Sequence, residues 1–366
     1  LQQKFLYQSF LCKNLEAMKK YQLKVQEIIH ETSDTISVIF ENISPDAISY
    51  KAGQFLTLNL HLGGETIRRA YSLASSPFTD KNLKIAIKRV KDGKISNLLN
   101  DSLQVGDILE TLEPMGVFTP EIKPENALQY VFWAGGSGIT PIISMVKSIL
   151  HVEPKSRILL VYASRNEESI IFKQELNRLE AQNANRLRVL HVLSQPLNCW
   201  KGFTGRLDKA KVEQIFAELP QDLPLSQWMC GPAGMMQTIE EVCKEKNLIP
   251  PKKESFTASI EESAQRKIEE SGNKIVEREV TVKYDGETYH FKVAPNQSIL
   301  DAALALDIDL PYSCQSGLCT ACMGKCVSGK VIMTEDDCLT EQEIKDGVVL
   351  TCVAHPLSDD VVIEID

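Results

Sequence analysis

The chain reads as a multidomain protein: a small antiparallel β-barrel, then a doubly wound α/β domain, then a smaller α+β domain. Three observations predict this. Its 366 residues exceed what one ordinary core organises. Its apolar pattern shifts from short strand-like runs to strands alternating with helices. Four cysteines, Cys314, Cys319, Cys322 and Cys326, then crowd into the last sixth of the sequence.

The barrel comes first. From Tyr21 to about Pro120 the runs QLKVQEII, TISVIFEN, QFLTLNLHL and LKIAIKRV are short, β-branched and separated by turn residues. From Leu128 the apolar runs QYVFWAGG, RILLVYAS, LRVLHVLS and QWMCGP alternate with the helical stretches PIISMVKSIL, ESIIFKQELNRLEAQ and AGMMQTIEEVCKEK. That alternation predicts a parallel sheet with helices on both faces. Thr257–Glu277 is polar, charged and poor in large apolar residues, and reads as a linker. REVTVKYDGETYHFKV reads as two strands around a D-G turn, and NQSILDAALALDI as a short amphipathic helix before the cysteine loop. The expected borders are an N-terminal extension at 1–17, domains at 18–124, 125–256 and 278–366, and a linker at 257–277. For Leu1–Ala17 two readings stand: a short outer helix, or residues that precede a biological start at Met18.

Composition narrows the function classes. With 43% hydrophobic and 24% charged residues and no apolar run long enough to span a bilayer, the chain is expected to be globular, without a membrane role. The N-terminus lacks the apolar core and cleavage site of a signal peptide. Ten cysteines without such a signal point away from a disulfide framework and towards a reducing cytoplasm. From Glu277 to Asp366 there are six Lys/Arg against seventeen Asp/Glu, a net of −11, which leaves the remainder at +2. An acidic module excludes nucleic acid as the expected partner and suits docking with a basic protein surface.

The strongest motif is Cys314-x4-Cys319-x2-Cys322, completed by Cys352 after a long gap. Four thiolates at this spacing are the plant-type [2Fe–2S] pattern. A zinc site would favour two well-separated pairs, which this triplet does not supply. Ser316 and Gly317 lie inside the loop, where glycine can take positive φ and turn N–H groups towards sulfur. Cys326 is expected to be packed on the following strand, Cys338 to be a surface or loop thiol, and His355 to face solvent. The six histidines form no ligand-spaced pair.

A second, ordered set of motifs precedes it. Arg69-Ala70-Tyr71-Ser72 can offer a guanidinium to a pyrophosphate, a ring to an isoalloxazine and a hydroxyl to flavin N5. In IKRVKDGKISNLL, Gly93–Ser96 opens a helix whose N–H groups can face phosphate. Gly135-Gly136-Ser137-Gly138-Ile139-Thr140-Pro141 follows one strand, and Cys230-Gly231-Pro232 follows another. Each motif alone has a bland reading; their order does not.

That order, over about Tyr21 to Phe256, resembles the ferredoxin–NADP reductase superfamily. PYSCQSGLCTACMGKCVSGKV…LTCVAHP, over Glu279 to Asp366, resembles plant-type ferredoxins. The resemblance implies a flavin-binding barrel, a nicotinamide-binding α/β domain and a β-grasp ferredoxin domain. It implies a flavin site of Arg69, Ala70, Tyr71, Ser72, Ile87, Lys88, Val90, Gly93, Lys94, Ile95 and Ser96. The nicotinamide side is Gly136, Ser137, Gly138, Thr140, Ser164, Arg165, Cys230, Gly231, Pro232 and Met235. Tyr71, Ser72, Thr140 and Cys230 are the implied catalytic residues. Thr140 and Cys230 are expected beside the reacting C4, the alternative for Cys230 being a buried strand-end thiol. Glu254 and Phe256 resemble the residues that close the site behind the flavin. Cys314, Cys319, Cys322 and Cys352 are the implied iron ligands.

The order flavin–nicotinamide–ferredoxin also resembles reductase components of multicomponent oxygenases. Among these, the reductases of phenylacetyl-CoA epoxidation imply FAD and NADPH, whereas the phthalate dioxygenase type implies FMN. FAD rather than FMN is therefore expected. Ser164 and Arg165 stand where NAD-preferring enzymes often place an acid, so NADPH rather than NADH is expected. The implied activity moves electrons from NADPH through FAD to the cluster and on to a hydroxylase or epoxidase component, or another protein acceptor. Two readings compete with it: a cluster-based redox sensor, and the reductase of a Rieske dioxygenase using FMN and NADH.

Overall fold

In the computed structural model the described residues are 19–62, 65–91, 93–197, 199–256, 276–295, 297–336 and 338–365. The expected extension at 1–17 and most of the expected linker lie outside them. The chain forms two compact units, one over the described residues 21–256 and one over 276–365.

The first unit begins with β1 (Lys20–Thr32), β2 (Thr35–Asn42), β3 (Phe55–Leu62), β4 (Glu65–Ser72), β5 (Leu83–Lys88) and β6 (Ile108–Leu112), in the sheet order β4-β3-β6-β1-β2-β5. An antiparallel bridge between Leu73 and Ile85 joins the two edge strands. Closure removes exposed edges, as a small sheet without a covering layer requires. Period-2 alternation sends Leu23, Val25, Leu56, Leu58 and Ile85 inward. Each such side chain contributes roughly 1.5–3 kcal/mol on burial. Helix α1 (Lys94–Ser102) adds Ile95 and Leu99 to that core.

A second sheet follows: β7 (Gln129–Gly135), β8 (Arg157–Ser164), β9 (Leu187–Leu193), β10 (Phe203–Thr204), β11 (Leu225–Cys230) and β12 (Lys252–Glu254). Every pairing is parallel, in the order β10-β9-β8-β7-β11-β12. β7 is buried along its whole length, as a central strand covered on both faces must be. The covering helices are α2 (Ile139–Val152), α3 (Lys173–Gln182), α4 (Lys209–Ala217) and α5 (Ala233–Glu245). Helix α3 starts later than the sequence pattern suggests. Ile170, Ile171 and Phe172 are buried instead as an irregular entry, with Phe172 left-handed at φ 59°. Strand order reverses between β7 and β11, so the crevice at their C-terminal ends is a topological switch point.

The second unit opens with β13 (Arg278–Tyr284) and β14 (Glu287–Val293), joined by Asp285 and Gly286 at φ 51° and 77°. Two consecutive positive φ values are what the D-G hairpin turn demands. Helix α6 (Ile299–Leu304) starts in a capping box between Ser298 and Asp301. Then come β15 (Met323–Ser328), β16 (Val331–Met333), α7 (Glu341–Lys345), β17 (Val348–Leu350), β18 (Ala354–Pro356) and β19 (Val361–Ile365). β19 lies parallel to β13 inside the five-stranded sheet β14-β13-β19-β15-β17, the β-grasp arrangement. One expectation is corrected here. His355 does not face solvent: it sits in β18, paired with Ile332 of β16, and is 6% exposed. Burial lowers its pKa, so the ring is held neutral.

Candidate functional site

At the switch point of the second sheet two turns interlock. β7 ends at Gly135 and passes through a 3₁₀ turn, Gly136–Gly138, into α2. β11 ends at Cys230 and passes through Gly231 and Pro232 into α5. The turns touch backbone to backbone. A Cβ on Gly138 would lie 2.1 Å from the Cys230 carbonyl oxygen, and one on Gly231 3.0 Å from the Gly135 Cα and 2.6 Å from Met235 Cε. Gly136, at φ 55°, is the exception: a Cβ there would meet nothing within 4 Å. That open space above a left-handed glycine is the cradle a nucleotide's phosphates can enter. Tyr162 supports it from behind, donating its hydroxyl to the Gly136 carbonyl at 2.9 Å.

Thr140 is the second residue of α2, buried, its hydroxyl donating to the Ser137 carbonyl at 2.9 Å. Cys230 is fully buried opposite Glu254 of β12. Burial first, and the Glu254 carboxylate second, push its thiol well above the usual range, so it stays protonated. It can pack against a ring or donate weakly, but it is not a thiolate nucleophile. Phe256 is 41% exposed just beyond β12.

A second group of candidate residues lies beyond β8. The Ser164 hydroxyl is buried without a hydrogen-bond partner among the described residues, and Arg165 beside it is exposed. Ser169 accepts the Arg165 and Asn166 N–H groups at 3.1 and 2.9 Å, and Asn166 caps the 3₁₀ turn Glu167–Ser169. Both Glu167 carboxylate oxygens accept the Leu197 N–H, at 3.0 and 3.3 Å. The first acid after β8 is thus engaged by the loop that follows β9. His191 and Trp200 continue an aromatic row from Tyr162, with centroid separations of 5.9 and 6.4 Å. The sequence pattern did not single these two out, because the loop that brings Trp200 back to β9 has no periodic signal.

On the barrel, alternation along β4 puts Arg69 and Tyr71 on one face and Ala70 and Ser72 on the other, with Ser72 buried. Burial raises the Tyr71 hydroxyl to about 12, with Arg69 opposing, so the ring stays neutral and can stack. Val90 is exposed, and Gly93 opens α1 without any side-chain cap, which leaves its first N–H groups for a ligand. Ser96 turns inward to accept the Val90 N–H at 3.0 Å, while Lys94 is exposed. Ile87 and Ile95 are core residues, so only their backbones can meet a cofactor. Lys88 pairs with Asp34 at 2.9 Å.

In the second unit the loop from Cys314 to Cys322 is wound by Gln315 at φ 53° and Gly317 at φ 71°. Gly317 cannot carry a side chain, because its Cβ would meet the Glu335 Cβ at 2.8 Å. The winding brings Cys319 and Cys314 to a sulfur separation of 3.2 Å and points the Ser316 N–H at the Cys314 sulfur at 3.4 Å. Thr351 N–H donates to the Cys322 carbonyl at 3.0 Å and so delivers Cys352 to the same place. Cys314, receiving hydrogen bonds from Cys319 and Cys352, is pushed far down towards thiolate. Cys319 and Cys352, which donate those hydrogen bonds, are pushed up in turn, so the thiols share their protons; four converging sulfurs of this kind fit a [2Fe–2S] cluster. The extra thiols are engaged with backbone carbonyls: Cys326 donates to Ser328 at 3.1 Å, away from the loop, and Cys338 to Cys319 at 3.5 Å, bracing the loop.

A closed barrel leading into a parallel sheet with a phosphate cradle at its switch point belongs to flavin enzymes that oxidise pyridine nucleotides. With the four-thiol unit following it in the sequence, the chain is an NAD(P)H-dependent oxidoreductase carrying FAD and a [2Fe–2S] cluster. Domain models agree segment by segment. Residues 22–119 match the oxidoreductase FAD-binding domain, 132–241 the oxidoreductase NAD-binding domain, and 282–357 the 2Fe-2S iron-sulfur cluster binding domain. The chain is 35% identical over 353 residues to the ferredoxin reductase component of 3-ketosteroid-9-alpha-monooxygenase from Rhodococcus rhodochrous, covering 93% of this chain and 96% of that one. It is 33% identical over 354 residues to one of the subunits of 1,2-phenylacetyl-CoA epoxidase from Escherichia coli (strain K12), covering 94% and 98%. Phthalate dioxygenase reductase shares the fold with a TM-score of 0.62 at 22% identity, over 94% of this chain and 98% of that one. The chain belongs to the family of FAD-, NAD- and [2Fe–2S]-binding reductase components of oxygenase systems. Among the described residues no helix is long and apolar enough to cross a membrane.

Proposed function

We propose that the chain is the NADPH-oxidising reductase of an oxygenase system, feeding a hydroxylase or epoxidase component. What supports this most is the union in one chain of a nicotinamide cradle at Gly136 with a loop that brings the Cys314 and Cys319 sulfurs to 3.2 Å. The working modules are residues 18–124, 125–256 and 278–366, joined across 257–277. All nine described cysteines are free thiols, which suits the reducing cytoplasm.

When bound, FAD supplies the exchange between electron pairs and single electrons, and the cluster supplies single-electron transfer. The protein's residues do the rest. Arg69 neutralises the flavin pyrophosphate together with the open N-terminus of α1, while Tyr71 stacks on the ring system. Gly136, Ser137 and Gly138 admit the nucleotide phosphates, and Thr140 and the protonated Cys230 flank the nicotinamide. The Glu254 carboxylate and Phe256 close the rear. NADPH rather than NADH is favoured by the orphan Ser164 hydroxyl, the exposed Arg165 and the engagement of Glu167 by Leu197 N–H. An acid already bonded to its own loop is withdrawn from a ribose 2′-OH, and a guanidinium beside a free hydroxyl suits a 2′-phosphate.

The test is kcat/KM for NADPH and for NADH with cytochrome c as the one-electron acceptor. A preference for NADPH of at least ten-fold is expected. A preference for NADH refutes the nucleotide assignment, and failure to use either refutes the reductase reading.

A further inference from the structure

The segment after the flavin-facing strand and the helix after the nicotinamide turn are bonded to each other. The sequence runs without a break from Arg69-Ala70-Tyr71-Ser72 into Leu73-Ala74-Ser75-Ser76. Helix α2, which starts at the glycine turn, carries Thr140, Ser144, Lys147 and Ser148 at helical spacings of four, seven and eight residues, hence on one face. All four are buried. Ser144 donates to the Ser75 carbonyl at 2.5 Å, and the Ser76 and Ser148 hydroxyls are 2.8 Å apart. Lys147, only 7% exposed, pairs with Asp80 of the barrel at 2.6 Å and with Glu175 of α3 at 3.2 Å. Lys84 of β5 reaches Glu175 at 2.5 Å and lies 4.6 Å over the Phe172 ring. Glu31 of β1 accepts the Phe172 N–H at 3.2 Å.

A buried lysine flanked by two carboxylates from different elements is costly to assemble and costly to break. Burial opposes ionisation of Glu175, yet Lys147 and Lys84 together hold its pKa below the ordinary value. Of the four α2 residues, Thr140 bonds the cradle itself, through the Ser137 carbonyl, whereas Ser144, Lys147 and Ser148 bond the segment that follows β4 or the elements packed against it. Lys147 lies on the helix that begins at the cradle and Asp80 on the segment that follows β4, while Glu175, Lys84 and Glu31 brace them from α3, β5 and β1.

We infer that Lys147, Glu175 and the Ser75–Ser144 and Ser76–Ser148 contacts form a buried clamp whose role is to set the approach of nicotinamide to flavin. Lys147 and Glu175 are positioning residues for nucleotide oxidation. The inference rests on the proposed nicotinamide and flavin sites. Its logic is geometric: the segment that follows β4 and the helix α2, bonded to each other within about three turns of the helix start, cannot slide independently. Displacements near 1 Å at a reacting centre cost on the order of 100-fold in rate.

The test uses the full chain with Lys147→Met, which keeps the stem and removes the charge, and Ser144→Ala, which removes one contact. In flavin-free protein, amide exchange in 76–80 and 173–176 should quicken in K147M. In loaded protein, the limiting rate of flavin reduction by NADPH should fall at least ten-fold in K147M and three-fold in S144A. Flavin content should be unchanged and NADP⁺ affinity should stay within two-fold of wild type. The long-wavelength absorbance that reports nicotinamide–flavin contact should weaken in the same order. Unchanged exchange, limiting rates within two-fold of wild type in both variants, or a loss explained wholly by weaker flavin or nucleotide binding would each overturn the clamp. S144A decides the matter if K147M does not fold. A wild-type protein that NADPH cannot reduce would refute the proposed function instead, and the exchange measurement would still decide the clamp.

Discussion

Gly138 lies directly beneath Cys230: a Cβ on the glycine would stand 2.1 Å from the cysteine's carbonyl oxygen. The glycine turn and the cysteine turn are therefore one packed object, and the cradle at Gly136 has its shape because Gly138 has no side chain. Two glycines two residues apart are required for different reasons, and the difference is measurable.

Gly138→Ala should destabilise the protein by about 3 kcal/mol, the upper range for overpacking, because the obstructing atom is backbone and cannot rotate away. Gly136→Ala should cost about 1–2 kcal/mol, since only its left-handed conformation is penalised and the space above it is open. Urea unfolding of flavin-free protein gives the ranking. The reverse order would mean that the two turns are not packed as described.

Arg165→Ala should lower kcat/KM for NADPH about 10- to 100-fold, the worth of one charge-assisted contact to phosphate, while sparing NADH. Steady-state kinetics with both nucleotides check it. An equal loss with NADH would show that Arg165 contacts what the two nucleotides share.

Stability should fall in two steps as pH is lowered. Burial, with Lys173 adding, depresses His191 from 6.5 to about 4. The unfolded chain therefore takes up that proton first, and stability present above pH 6.5 is lost on the way down to pH 4. Glu175 is held below its usual 4.5 by Lys147 and Lys84 against the opposing effect of burial. Its contribution is complete above pH 4.5 and is lost as pH falls through its lowered value. His355, also lowered by burial, adds to the upper step, so His191→Phe should shrink that step in part and Glu175→Gln the lower one, measured by urea midpoints from pH 7 to pH 3.5.

What the sequence made legible was whatever is encoded locally. The Cys314, Cys319 and Cys322 triplet sits on one loop, the Asp285–Gly286 turn on two residues, and the cradle on one strand–helix junction. Each follows from residue type and spacing alone. What it hid depends on partners far along the chain. Nothing near Lys147 announces that it will be buried between Asp80 and Glu175, and an isolated lysine in PIISMVKSIL reads as a solvent-facing residue. His355 was misread for the same reason: its burial is set by β16, more than twenty residues earlier. Two of the six barrel strands, β4 and β6, were also poorly marked. Arg68 and Arg69 interrupt the apolar alternation in β4, and β6 is only five residues long.

The central claim is that electrons leave the flavin through the four-cysteine loop, and Cys352→Ser tests it most directly. The variant should still oxidise NADPH with ferricyanide at near the wild-type rate, because the first unit is complete without Cys352. Its reduction of cytochrome c should fall at least ten-fold, and the visible cluster spectrum should be lost. Cys326→Ser, whose thiol donates to the Ser328 and Gly329 carbonyls, should match wild type in all three. Undiminished cytochrome c reduction in a cluster-free Cys352→Ser protein would contradict the account, because the electrons would then have another way out.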